Sequence, residues 1–400
     1  MKNYDLITPE GTKDLLFGEC IVRRNIENTL LNLFRSRGYS EMITPGLEFY
    51  DVFNLNSRYF PQENLYKMTD SKGRLLVMRP DSTMPIARVV ATRLRDAMLP
   101  LKLCYNQTVY RTEPALKGRS DEIVQTGIEL IGSQLKVADL EVISTAAASL
   151  KSFGMKFSLE LGHIGIFKEL VSKLETTAHN KEKIRKLIET KNFPALNDLL
   201  DSLGNSSVIT ALKKLPALFG GEEVFEKAQL LMPDENIKKI LDELREIYND
   251  AAEICGSDGE ITVDLGLVNK TDYYTGIIIK GYLQGHGDEV ISGGRYDKLI
   301  SEFDYDVPAV GFALNVDAVA KVIAKNGLPE VKAADAIVYA EEGCEVAAIK
   351  AAEELRQQGL IVENALFDDL ESVREYAKEK KIPKVVVIDG ENENKTEVPV

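Results

Sequence analysis

Residues 101–132 read LKLCYNQTVYRTEPALKGRSDEIVQTGIELIG. Two β-type runs, LKLCY (101–105) and DEIVQTGIELIG (121–132), follow one another here with a polar loop and no helical pattern between them. Runs joined without a helix favour an antiparallel pair, because parallel neighbours need a long crossover that is usually helical. In the second run Gln125, Gly127 and Glu129 alternate to one face. Glu129 stands between the apolar residues Ile128 and Leu130, where a carboxylate is costly unless a cation or a hydrogen-bond donor meets it. The plainer alternative is a partly exposed strand carrying alternating polar residues.

Outward from this pair the same signals recur at 40–44 (ended by Pro45), 74–78, 156–162, 261–265, 275–282 and 288–294. Val22, Ile26, Leu30, Leu33 and Phe34 repeat at helical spacing before Gly38, which predicts a helix over 17–37. Strands in succession with helices beside them imply an α+β fold, an antiparallel sheet flanked by helices, rather than a doubly wound one. From 166 to 254 the pattern turns to successive helices, with apolar stripes at Phe167, Leu170, Val171, Leu174 and at Ile237, Ile240, Leu241, Leu244, Ile247. This reads as a helical insertion in a large domain, 1–325. KNGLPEVKAAD (325–335) reads as a linker. Beyond it DAIVYA, a helix near 344–358, LIVENA, a helix near 369–380 and KVVVIDG predict a small, mostly parallel α/β domain over 334–400.

The 400 residues are 44% hydrophobic and 28% charged, the balance of a soluble globular protein, and no run of about 18 apolar residues could span a bilayer. The N-terminus lacks the cationic start and apolar run of a secretory signal, so a cytoplasmic location is expected. Cys20, Cys104, Cys255 and Cys344 form no CxxC pair and are read as reduced thiols packed in cores. His163, His179 and His286 have no metal-ligand spacing, so neither a metal nor a cofactor is expected. A net charge of −14 disfavours diffuse binding to nucleic acid. From residue 333 onward eight Lys and Arg face sixteen Asp and Glu, a poor surface for tRNA.

Three further segments hold polar groups suited to a small ligand. In LLVMRPDSTMPIAR (75–88), Asp81 and Thr83 follow an apolar strand and could receive an ammonium group, or form a turn that caps the next helix. Arg111 and Arg119 could hold a carboxylate or phosphate bidentately, or make ordinary ion pairs. ISGGRYDKL (291–299) brings Gly293 and Gly294 together, which reads first as a hairpin turn or bulge and otherwise as a close approach of backbone to a ligand.

Taken in order, PEGTKDLL (9–16), GYSEMITPGLE (38–48), RPDST (79–83), RTEPALKGR (111–119), QTGIE (125–129), TDYYTG (271–276) and PAVGFAL (308–314) resemble the catalytic domain of class II histidyl-tRNA synthetases across residues 6–320. The resemblance implies that Asp81, Thr83 and Gln125 meet the amino group of histidine, that Glu129 and Tyr273 read its imidazole with Tyr274 beside them, and that Arg111 orients its carboxylate. Asp81 stands where that family has a glutamate and is one methylene shorter. Two cationic positions depart further: the arginine ahead of the double tyrosine is Asn269, and the motif 3 arginine is Ala318. Prepositioned cations at a reacting phosphate are commonly worth about 3 to 4 kcal/mol each, so their loss should nearly abolish amino-acid activation.

With LGHIGIFKEL (161–170) and LPALFGGEEVFEKA (215–228), these departures resemble the synthetase-like regulatory subunits of ATP phosphoribosyltransferase. That resemblance implies a non-catalytic partner of the short catalytic subunit at the first step of histidine biosynthesis, a dimer within a hetero-octamer, with L-histidine as feedback effector. It also implies that the small C-terminal domain is a truncated relative of an anticodon-binding domain. The competing expectations are an active histidyl-tRNA synthetase using Lys270, and a synthetase-like sensor of uncharged tRNA.

Overall fold

The structure is a computed structural model that describes residues 4–55, 62–112, 120–256, 260–268, 273–390 and 394–399. The chain divides into two compact units, Met1–Leu328 and Pro329–Val400. In order, the first unit contains α1 (Gly18–Ser36), β1 (Ser40–Glu41), β2 (Leu47–Phe49), β3 (Lys67–Thr69), β4 (Leu75–Met78), α2 (Thr83–Thr92), β5 (Leu101–Tyr110), β6 (Glu122–Ile131), α3 (Lys136–Lys151) and β7 (Phe157–His163). There follow α4 (Ile164–Ser172), α5 (Ala178–Glu189), α6 (Phe193–Ser202), α7 (Ser207–Lys214), β8 (Phe219–Gly220), α8 (Glu223–Leu231), α9 (Glu235–Cys255), β9 (Glu260–Asp264), β10 (Ile277–Leu283), β11 (Ile291–Arg295), β12 (Ala309–Asn315) and α10 (Val316–Ala324).

Nine strands form one sheet in the order β1-β5-β6-β12-β11-β10-β7-β9-β8. Its centre is antiparallel, with β5 and β6 paired over their full ten residues. Among the described residues of this sheet, only β1 on β5 and β7 on β9 run parallel. The expected strand at 40–44 is shorter than its apolar pattern suggested. Pairing stops after Met42 because the Thr44 N–H is taken by the side chain of Gln107 at 3.0 Å. Arg79 closes the same corner, donating to the carbonyls of Thr44 at 2.6 Å and Thr108 at 2.7 Å.

α1 buries Val22, Ile26, Leu30, Leu31 and Phe34 against the sheet and α10; the expected Leu33 is only half-buried, and Leu31 is buried in its place. In the helical segment α9 buries Ile237, Leu241, Leu244, Ile247 and Ala251 at the 3.6 period. Asp234 caps it by accepting from the N–H groups of Asn236 and Ile237. Side-chain caps also start α5 at Thr177, α6 at Asn192 and α7 at Ser206.

The second unit holds β13 (Ala336–Ala340), α11 (Glu345–Gln357), β14 (Val362–Asn364), α12 (Leu370–Glu379), β15 (Lys384–Asp389) and β16 (Asn394–Pro399). The order β14-β13-β15-β16 has parallel pairs on both sides of β13, and β16 adds antiparallel. The cysteine expectation is corrected: Cys104 alone is buried, Cys255 and Cys344 are half-buried, and Cys20 is exposed. No described helix is long and apolar enough to cross a membrane.

Candidate functional site

The site is built on one face of the sheet where β6, β12 and β11 lie side by side. Residues directly opposite on paired strands share a face, and the row through Glu129 continues as Gly311 on β12, Gly294 on β11 and Ile278 on β10. The two glycines make the space. A Cβ on Gly311 would stand 1.9 Å from Glu129 Oε2, and one on Gly294 would stand 2.9 Å from the Tyr274 ring. Gly294 is therefore not a turn residue, as its sequence context suggested, but a strand position kept bare first by the Ile277 carbonyl, which a Cβ would approach to 2.3 Å, and then by the Tyr274 ring.

Glu129 is 1% exposed. It obtains the donors that its apolar setting demands: Thr83 Oγ1 donates to Oε1 at 2.8 Å, and the Tyr296 hydroxyl donates to Oε2. Burial nevertheless dominates and pushes its pKa up to about 8, against the two hydrogen bonds and with a further push from Asp81. The carboxyl group is mostly protonated at pH 7 in the free protein. Around it stand Tyr273 and Tyr274, with ring centroids 4.9 Å apart, and Tyr296, 5.7 Å from Tyr273. Tyr105 reaches in over Gly127. Burial raises the pKa of all four hydroxyls, so each stays protonated.

Asp81 and Thr83 lie at the start of α2, and both are buried. Asp81 Oδ1 accepts from the Met84 N–H at 2.8 Å, so the capping alternative holds for this oxygen. Burial raises the pKa of Asp81, opposed first by the charge of Arg111 and then by backbone N–H groups. Arg111 follows the end of β5 and donates from Nε to the Pro80 carbonyl at 2.5 Å, which ties it to the turn carrying Asp81. Gln125 is half-buried on β6, on the same face as Glu129 and four residues along it. At about 3.4 Å per residue the two backbones are roughly 14 Å apart. Glu129, Thr83, Tyr273 and Tyr274 thus form one cluster, Asp81 and Arg111 a second beside it, and Gln125 lies farther along the strand.

Tyr296 and Tyr105 were missed by sequence reading. Tyr296 was in view within ISGGRYDKL, but nothing local says that its hydroxyl meets a carboxylate 167 positions earlier. Its neighbour Arg295 fixes it. The buried Arg295 guanidinium meets Asp139 Oδ1 at 2.8 and 3.0 Å, the Ser133 carbonyl at 3.0 Å and Asp297 Oδ1 at 3.1 Å. The Arg295 carbonyl accepts from the Thr275 N–H at 2.8 Å, next to Tyr274. One residue therefore anchors both the Tyr274 and the Tyr296 segments.

Ala318 is buried on α10, with its N–H donating to Asn315 Oδ1 at 3.0 Å, and its side chain is a bare methyl group. Asn269, Lys270 and Arg119 lie outside the described residues. Among the described residues no group of three or more His, Cys, Asp or Glu is placed to hold a metal ion.

A family model described as histidyl-tRNA synthetase matches residues 11–319. In the search of solved structures, a crystal structure from Bacillus halodurans, titled as an ATP phosphoribosyltransferase regulatory subunit/histidyl-tRNA synthetase, aligns with TM-score 0.82 at 30% identity, covering 96% of this chain and 99% of that one. A histidyl-tRNA synthetase from Nostoc shares the fold at TM-score 0.77 and 20% identity, over 98% and 97% of the two chains. The architecture is that of a class II synthetase. Similar curated proteins include ATP phosphoribosyltransferase regulatory subunits of Clostridium kluyveri, 43% identical over 96% of this chain and 99% of the relative, and of Bacillus cereus, 37% identical over 99% and 94%. The chain belongs to the family of ATP phosphoribosyltransferase regulatory subunits, within the histidyl-tRNA synthetase-like fold.

Proposed function

We propose that this chain is the histidine-responsive, non-catalytic regulatory subunit of an ATP phosphoribosyltransferase, acting with a short catalytic subunit in histidine biosynthesis. The observation that carries the reading is Glu129: a carboxyl group with a pKa of about 8, walled by tyrosines and in one cross-strand row with two glycines. A buried carboxyl of that kind suits an imidazole. Carboxyl and imidazole share one proton without a net charge being brought into the site, and the tyrosine rings cover the apolar faces of the heterocycle. Asp81, with Thr83 and Gln125, serves the ammonium group, and Arg111 serves the carboxylate.

The chemistry ends at binding. Ala318 puts a methyl group at one cationic motif position, and the sequence has Asn269 at the other. Negative charge developing on a phosphate would go unanswered there. Feedback then requires that histidine bind one state of the assembly more tightly than the other, typically by about 1 to 3 kcal/mol. Dimerisation, assembly into a hetero-octamer and a cytoplasmic location complete the proposal. The test pairs two measurements on the purified chain: titration calorimetry with histidine, and histidine-dependent exchange of pyrophosphate into ATP. Binding without exchange is the expected result. Exchange above background would make the protein a synthetase instead.

A further inference from the structure

A cleft of about 510 Å3 lies between α4 and α5, with Lys168, Lys181, Arg185 and Glu182 among its polar lining and Phe167 and Val171 among its apolar lining. Its size is within the range of small-ligand sites, about 300 to 1,000 Å3. Its charge runs against that of the protein. Residues 164–191 carry seven Lys and Arg against four acids, in a chain of net charge −14. Arg185 is 9% exposed, and its guanidinium is held by both oxygens of Glu182, at 2.6 and 2.8 Å, and by Glu189 at 3.3 Å. It is fixed in place with its charge already met by those two carboxylates, which leaves Lys168 and Lys181 to make the first contacts with an anion.

Lys168 belongs to two places. It lines the cleft, and its ammonium donates to the Tyr274 carbonyl at 2.7 Å. It also lies close enough to the buried His163 to help depress that imidazole's pKa to about 4, although burial is the larger cause. The ammonium therefore sits at the seam between the helical segment and the double tyrosine beside Glu129.

We propose that this cleft binds a small phosphate-bearing anion, and that occupancy is coupled to the tyrosine-walled site through Lys168. An anion between Lys168, Lys181 and Arg185 draws the Lys168 ammonium toward itself and away from the Tyr274 carbonyl. The Tyr273–Tyr274 segment loses a tether. Histidine affinity falls, and by reciprocity histidine weakens the anion equally. The coupling rests on the histidine reading above, whereas the anion site does not.

Inorganic pyrophosphate is the probe, titrated into the full-length chain and into Lys181→Glu by calorimetry at matched ionic strength. Histidine is then titrated into each protein with and without saturating pyrophosphate. Pyrophosphate affinity should fall at least tenfold in Lys181→Glu, and pyrophosphate should raise the histidine Kd at least threefold in the wild-type chain. Equal pyrophosphate affinity in the two proteins, or no binding to either, overturns the site. An unchanged histidine Kd under saturating pyrophosphate overturns the coupling. Failure of histidine alone to bind the wild-type chain would instead remove the functional reading, and the comparison of the two proteins with pyrophosphate would still decide the cleft.

Discussion

The proton count of histidine binding follows from Glu129. With a pKa of about 8 for its carboxyl group and about 6.5 for an ordinary imidazole, the two free partners together hold one proton near pH 7.2. The bound pair also holds one, whichever partner carries it, so no net proton is exchanged at that pH. At pH 8.5 the free partners hold only about 0.25 proton, and binding takes up about 0.75. At pH 6.0 they hold about 1.75, and binding releases about 0.75. Calorimetric titrations in buffers of differing ionisation enthalpy read this number directly from the slope of apparent enthalpy. Glu129→Gln is the reference, because protons linked to the histidine amino group enter both proteins alike. At pH 8.5 the wild-type chain should take up about 0.75 proton more than the variant. Equal uptake by the two proteins, or release by the wild-type chain, would refute the assignment of Glu129 to the imidazole.

Glu129→Ala should weaken histidine binding far more than Glu122→Ala, by about 2 to 5 kcal/mol for a buried charge partner; calorimetry giving equal affinities would contradict the placement. The pKa of Glu129 is about 8 in the folded protein against 4.5 normally, so the folded state holds an extra proton between those values and this group's contribution to stability declines as pH rises across them. Glu129→Gln removes that slope. Relative to wild type, the variant should gain stability between pH 5 and pH 8.5, by at most about 4 kcal/mol; denaturant unfolding at the two pH values with no relative change would count against it. Arg295→Met leaves Asp139 buried without its guanidinium and should cost about 3 to 5 kcal/mol. It should also weaken histidine binding, because the guanidinium fixes the Arg295 backbone, whose carbonyl holds Thr275 beside Tyr274 and which leads directly into Tyr296. A denaturation midpoint equal to wild type would show that the pair contributes nothing.

Local pattern revealed the scaffold where a single strand or helix fixes its own burial. The alternation of Gln125, Gly127 and Glu129, and most of the stripes of α1 and α9, are properties of neighbouring residues, and the structure repeats them, with Leu33 and Ile240 only half-buried. β12 was recognised only as a motif, because AVGFALN lacks alternation: as a central strand it is buried on both faces over most of its length. β16 escaped notice because its residues, NKTEVP, are largely polar and edge-like. At the site, sequence supplied the need of Glu129 for donors but not their identity. Thr83 arrives from 46 positions away and Tyr296 from 167. Contacts of that length are set by sheet order, which no local pattern encodes. The same holds for Gly294, which reads as a turn until Tyr274 is seen lying against it.

Reconstitution with a short catalytic subunit reaches the central claim most directly. The transferase rate of the catalytic subunit is measured alone, with this chain, and with this chain carrying Glu129→Gln, each across a histidine titration. The wild-type chain should raise the rate and confer inhibition by histidine, and Glu129→Gln should shift that inhibition to higher histidine concentrations. A rate and a histidine response unchanged by adding the wild-type chain would contradict it.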